Sequence, residues 1–75
     1  MQTNLNFLRL GRHAVVETVD TEPALQQRLR DFGLVPGTQI CCRYRTPGGS
    51  VTAVEFRGSV VALRTRELAK IRVRC

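Results

Sequence analysis

"LRDFGLVPGTQI", residues 29–40, is the stretch that decides the fold. Upstream, Leu25, Leu29 and Phe32 fall at i, i+4 and i+7, one apolar stripe of a helix, while Gln26, Gln27, Arg30 and Asp31 face away. Gly33 then fits the left-handed residue that terminates a helix. Leu34 can pack back on that helix, and Pro36-Gly37 reads as the centre of a type II turn. From Gly37 the period changes from helical to two. Ile40, Cys42 and Tyr44 form one face of a strand, and Gln39, Cys41, Arg43 and Arg45 form the other. The corner therefore has to stop a helix and launch a strand at a fixed angle, with Gly33, Pro36 and Gly37 as its structural turn residues.

The rest of the chain supplies partners for that strand. "RHAVVETVD" before the helix reads as a first strand rich in β-branched residues. In "DTEP", Asp20 or Thr21 is a candidate helix cap, and Glu22 and Pro23 suit the first turn. "TPGGS" is a turn by composition. "VTAVEFR" follows, with Val54 and Phe56 inward and Glu55 and Arg57 outward. "RGS" reverses the chain into "VVALR", whose Val61 and Leu63 face the core and whose Val60 and Ala62 face out. "TREL" fits one helical turn, and "AKIRVRC" closes with Ile71 and Val73 inward, Arg72 and Arg74 outward. Short half-buried strands with tight connections, in a chain too short for two sheets, point to a small closed barrel that has no free edges.

Seventy-five residues make one domain near the lower limit for independent folding, with room for a single small core. Residues 11–74 are expected to form that core, and 1–10 a lead-in. The net charge is +6, from eleven arginines and one lysine against six carboxylates. The arginines are scattered, often at every second position, as on the solvated faces of strands, rather than gathered into a phosphate-binding run. The expected faces bury three of the four aromatics, Phe7, Phe32, Tyr44 and Phe56, which leaves few stacking platforms for bases.

Three cysteines, at 41, 42 and 75, are an odd number, and adjacent strand neighbours point to opposite sides, so a disulfide framework is not expected. No stretch approaches the ~20 apolar residues of a membrane span. These features lead to the expectation of a soluble, reduced, cytoplasmic protein. One histidine, dispersed carboxylates and no phosphate-cradling glycine loop give catalysis no foothold. Cys41, Cys75 and His13 are conceivable metal ligands, but they lack CxxC or HxxxH spacing, and no metal or cofactor is expected.

Taken in order, "LRDFGLVPGTQI", "TPGGSVTAVEFRG" and "VVALRTRELAKIRV" resemble the FeoA domain of bacterial ferrous iron uptake. The corresponding motifs are Phe32-Gly33-Leu34, Pro36-Gly37, Gly48-Gly49, Ala62-Leu63-Arg64 and Ile71-x-Val73, spread from Gly11 to Val73. The family carries an aliphatic residue where Phe32 stands. The resemblance implies a mainly β fold, an SH3-like β-barrel of about five strands with an α-helix inserted after the first. It also implies an accessory partner of the FeoB-type membrane GTPase and ferrous iron permease, rather than an enzyme. Related domains end metal-dependent repressors, so a regulatory or nucleic-acid-binding barrel is the alternative. The seventy-five residues hold no DNA-binding helices ahead of the domain, and the transport accessory is the expectation. The expected contact patch combines Leu34, Val35, Cys41, Val60 and Ala62, with Ala53 beside them and arginines at the rim. Weak self-association through outward strands or Cys41 stays open.

Overall fold

The computed structural model describes residues 1–75. Six antiparallel strands form one sheet: β1 (Gln2–Asn4), β2 (His13–Val19), β3 (Gln39–Arg45), β4 (Val51–Phe56), β5 (Ser59–Arg64) and β6 (Ile71–Arg74). Their order across the sheet is β1-β6-β2-β3-β4-β5. Helix α1 (Pro23–Asp31) joins β2 to β3, and the single turn α2 (Thr65–Leu68) joins β5 to β6. A 3-10 turn, Leu5–Phe7, follows β1. No helix is long and apolar enough to cross a membrane.

The corner forms as its residues dictate. Gly33 takes φ +98° directly after Phe32, the helix C-cap. The Gly33 N–H donates to the Arg30 carbonyl and the Leu34 N–H to the Leu29 carbonyl, the paired bonds of a Schellman motif. Leu29 and Leu34 are both buried in the core and supply its apolar contact. Across Pro36-Gly37 the Thr38 N–H donates to the Val35 carbonyl, and Gly37 has φ +95°, a type II turn. Thr38 is an unanticipated part of the corner. Its buried hydroxyl donates to the Gly33 carbonyl at 2.8 Å and accepts from the Val35 N–H at 3.2 Å. The Gly37 N–H and Thr38 carbonyl bond in turn to Val16, which fixes the corner against β2.

Fifteen buried residues make one core, contributed by every strand except β1, by α1, α2 and by the lead-in. Leu5 and Leu8 belong to it, so the segment expected as a mere lead-in is part of the packing. β1 pairs with β6 in register Gln2↔Arg74 to Asn4↔Arg72, which brings the strand number to six and places α1 after the second strand. The helix cap also differs. Glu22 is the N-cap, without a side-chain bond, while Thr21 is buried. Pro23 holds the first helical position, where its missing N–H costs nothing.

The sheet is curled but open, not the closed barrel expected. β1 and β5 are its two edges and do not pair. β1, three residues long, pairs with β6 alone. Instead α2 and the 3-10 turn pack together over the core, with Leu5 and Leu68 fully buried beneath them.

Candidate partner-binding site

Two local events rearrange the outward face from what alternation implies. A β-bulge lies between Cys42 and Tyr44, opposite Val54 and Ala53 of β4. Arg43 is the extra residue, so the phase slips and Tyr44 turns outward, 61% exposed, rather than into the core. Cys41 does lie on the outward face, but it is only 2% exposed, because it sits in register between His13 of β2 and Glu55 of β4. Ala53, between Tyr44 and Ala62 in register, is buried for the same reason. Leu34 is buried against Leu29. Cys41, Ala53 and Leu34 therefore leave the expected contact patch. Val60 (57% exposed), Ala62 and the half-buried Val35 keep accessible surface.

Phe32 is likewise displaced from the core. The helix ends at Asp31, and Phe32 occupies its C-cap with 52% of its surface exposed. Together with half-buried Leu25 it faces Val61 and Ala62 of β5 across a groove of about 460 Å³. Arg28, Arg64 and Arg66 rim this groove with Glu22 and Glu67. Arg66 lies 3.7 Å from Glu67, whereas Arg28 and Arg64 have no acidic partner. The groove thus combines an apolar floor with unpaired positive charge.

His13, Cys41 and Glu55 lie side by side in register, but no three His, Cys, Asp or Glu side chains converge as ligands. Glu55 is engaged by Arg43 at 3.4 Å. All three cysteines are free thiols, with Cys75 exposed. Burial pushes the Cys42 thiol above its ordinary range; the nearby Arg45 guanidinium opposes that shift, and Cys41 adds to it. The Cys42 Sγ lies 3.9 Å from the Leu5 carbonyl, as expected of a packed thiol. Arg45 holds the lead-in down. Its guanidinium donates to the carbonyls of Asn6 and Leu8 and to the Thr52 hydroxyl.

The FeoA domain family model matches residues 3–75. No curated protein matches the sequence. Among solved structures, a FeoA protein from Chlorobium tepidum is 33% identical, with TM-score 0.92; the match covers 96% of this chain and 69% of that one. FeoA from Stenotrophomonas maltophilia, complexed with zinc and described as a prokaryotic SH3 domain protein, is 32% identical with TM-score 0.80; 97% of this chain and 88% of that chain are covered. A manganese-dependent transcriptional repressor shares the fold at 18% identity and TM-score 0.83, over 97% of this chain and 41% of that one. The motifs, the SH3-like architecture and the match over nearly the whole length agree: the chain belongs to the FeoA family, associated with ferrous iron transport.

Proposed function

We propose that this protein is a cytoplasmic accessory of ferrous iron uptake, which binds the cytoplasmic part of an FeoB-type membrane GTPase and permease and modulates it. The observation that carries the reading is the surface itself. A core of fifteen residues fills the interior, and the accessible features are exposed apolar residues beside unpaired arginines. Val35, Val60 and Ala62 remain the proposed contacts from the sequence, and Phe32 joins them. The family context supplies the transport setting, and the S. maltophilia relative is described as a candidate ferrous iron transport activating factor. Modulation requires the module to prefer one state of the permease, since equal affinity for two states shifts neither.

Co-purification with the permease's cytoplasmic domain tests this, with Val60→Glu, Val35→Glu and Phe32→Glu as probes of the surface. Association at micromolar concentration, weakened by at least one of these exposed substitutions, is expected. No association with the fold intact overturns the reading.

A second reading draws on Phe7, Phe32 and Tyr44, three aromatics that the structure leaves exposed on a chain of net charge +6. Stacking of single-stranded nucleic acid on such rings is sequence-tolerant. The arginines beside Tyr44 argue against it, because Arg43 is paired with Glu55 and Arg45 is bonded to main-chain carbonyls. Retention of a random oligonucleotide from about 50 to 200 mM salt would favour it; loss over that range leaves the permease reading in place.

A further inference from the structure

The two edges of the sheet are not equivalent. β1 is three residues long, whereas β5 has six and pairs with β4 in unbroken register from Phe56↔Ser59 to Val51↔Arg64. Its hairpin turn, Arg57-Gly58, has positive φ at both residues, 54° and 78°, the type I′ geometry. A two-residue turn of this kind makes Phe56 and Ser59 a hydrogen-bonded pair. The alternation then makes Val54–Val61 and Thr52–Leu63 the next bonded pairs. The N–H and C=O groups of Val60 and Ala62 consequently point away from β4, to the open side of the sheet. No main-chain group outside the sheet bonds to either residue. β5 has no proline, no lysine and no bulge, and its one charged residue is Arg64 at its end. From Val61 to Arg64 the strand lines the groove whose far wall is α1, and Val60 lies just beyond it.

We infer that β5 accepts an extended, acidic segment of a partner protein as a seventh strand, seated between β5 and α1. Main-chain bonds to Val60 and Ala62 provide the pairing, the common basis of strand addition. Inward side chains of the added strand meet Leu25, Phe32 and Val61. Acidic side chains meet Arg28 and Arg64, which have no partner within the chain. The same charge argues against a second copy as occupant, since two β5 edges would bring together chains of +6 each. The inference names the segment that the partner-binding reading requires, and rests on that reading only for the identity of the partner.

The test uses the intact chain and two synthetic probes, acetylated decapeptides alternating valine with glutamate or valine with lysine. Amide exchange by NMR should show the Val60 and Ala62 N–H groups newly protected by the acidic peptide, with those of Val61 and Leu63 unchanged. The basic peptide should bind about tenfold more weakly or worse at low salt. Ala62→Pro removes one outward donor without touching the β4 ladder; it should abolish peptide protection while the melting temperature and the remaining amide spectrum are retained. Val60→Pro provides the same measurement should that variant fold poorly. Equal binding of both peptides, protection elsewhere, or no protection at millimolar peptide overturns the inference. Protection of the same amides by the protein's own concentration, without peptide, overturns it in favour of self-pairing. The permease domain is run in parallel. Its binding unimpaired by Ala62→Pro refutes strand addition but keeps the accessory role; peptide binding without permease binding supports strand addition and refutes that role.

Discussion

Gly33→Ala puts the helix-to-strand corner to a quantitative test. Gly33 sits at φ +98°, a conformation that costs an L-residue about 1–2 kcal/mol. Alanine recovers roughly 0.4–1 kcal/mol of this by restricting the unfolded chain. An added Cβ would stand 3.3 Å from the Cγ of Arg57, an exposed side chain that can swing away cheaply. The net loss is about 1 kcal/mol. In a domain of this size that lowers the melting temperature by ~4–8 °C. Gly33→Val, β-branched, should lose ~2 kcal/mol or more, and Gly33→Asn least, because asparagine tolerates the left-handed region. Thermal unfolding followed by far-ultraviolet circular dichroism reads all three. Repeating Gly33→Ala in an Arg57→Ala background separates the causes, since backbone strain persists there and a side-chain contact does not. An unchanged melting temperature for Gly33→Ala refutes the account of the corner; full rescue by Arg57→Ala refutes the strain argument in particular.

Other consequences are as direct. Thr38→Val removes the hydroxyl that bonds Gly33 and Val35 and should cost about 1 kcal/mol in urea unfolding, by leaving partly buried main-chain groups unpaired. Leu5→Ala should cost ~2–5 kcal/mol, a core-sized loss from a residue in the lead-in. Arg57→Asn, which places Asn-Gly in the type I′ turn, should raise stability by roughly 0.5–1 kcal/mol, seen as a higher melting temperature. Because the folded state holds the Cys42 thiol above its ordinary value of 9.0, its contribution to stability is complete below that pH. The contribution is lost as pH rises through the folded value. The stability difference between wild type and Cys42→Ala should therefore narrow in alkali, and a constant gap would contradict the shift. In brief alkylation at neutral pH followed by mass spectrometry, Cys75 should label first, with Cys41 and Cys42 following only on unfolding.

What could be read in the residues was whatever is decided locally. Gly33, Pro36 and Gly37 announce their own backbone geometry, and the alternation in Val54–Phe56 and Ile71–Val73 matches the buried positions, as does Leu63 with Val61 half-buried beside it. Tyr44 escaped because its orientation depends on a bulge at Arg43, which carries no glycine or other mark of an irregular strand. Cys41 and Ala53 have the right face but the wrong exposure, since burial of a small side chain is set by the length of its neighbours on adjacent strands. Residues 2–4 are polar and make a strand only because β6, at the opposite end of the sequence, lies beside them. The groove between α1 and β5 was invisible for the same reason: it requires knowing that the barrel does not shut and that the helix stops one residue before Phe32. The surface beside it was partly legible, through Val60, Ala62 and their arginine neighbours.

The pairing of β1 with β6 has a topological outcome. The Met1 ammonium donates to the Cys75 carbonyl at 2.8 Å, and the Cys75 N–H donates back to the Met1 carbonyl. The polypeptide is thus nearly a ring, and a cut at an exposed loop tip disturbs its packing little. Splicing these ends through a few glycines and reopening the chain between Gly48 and Gly49, in the exposed hairpin, should yield a permuted molecule with the same hydrophobic interior.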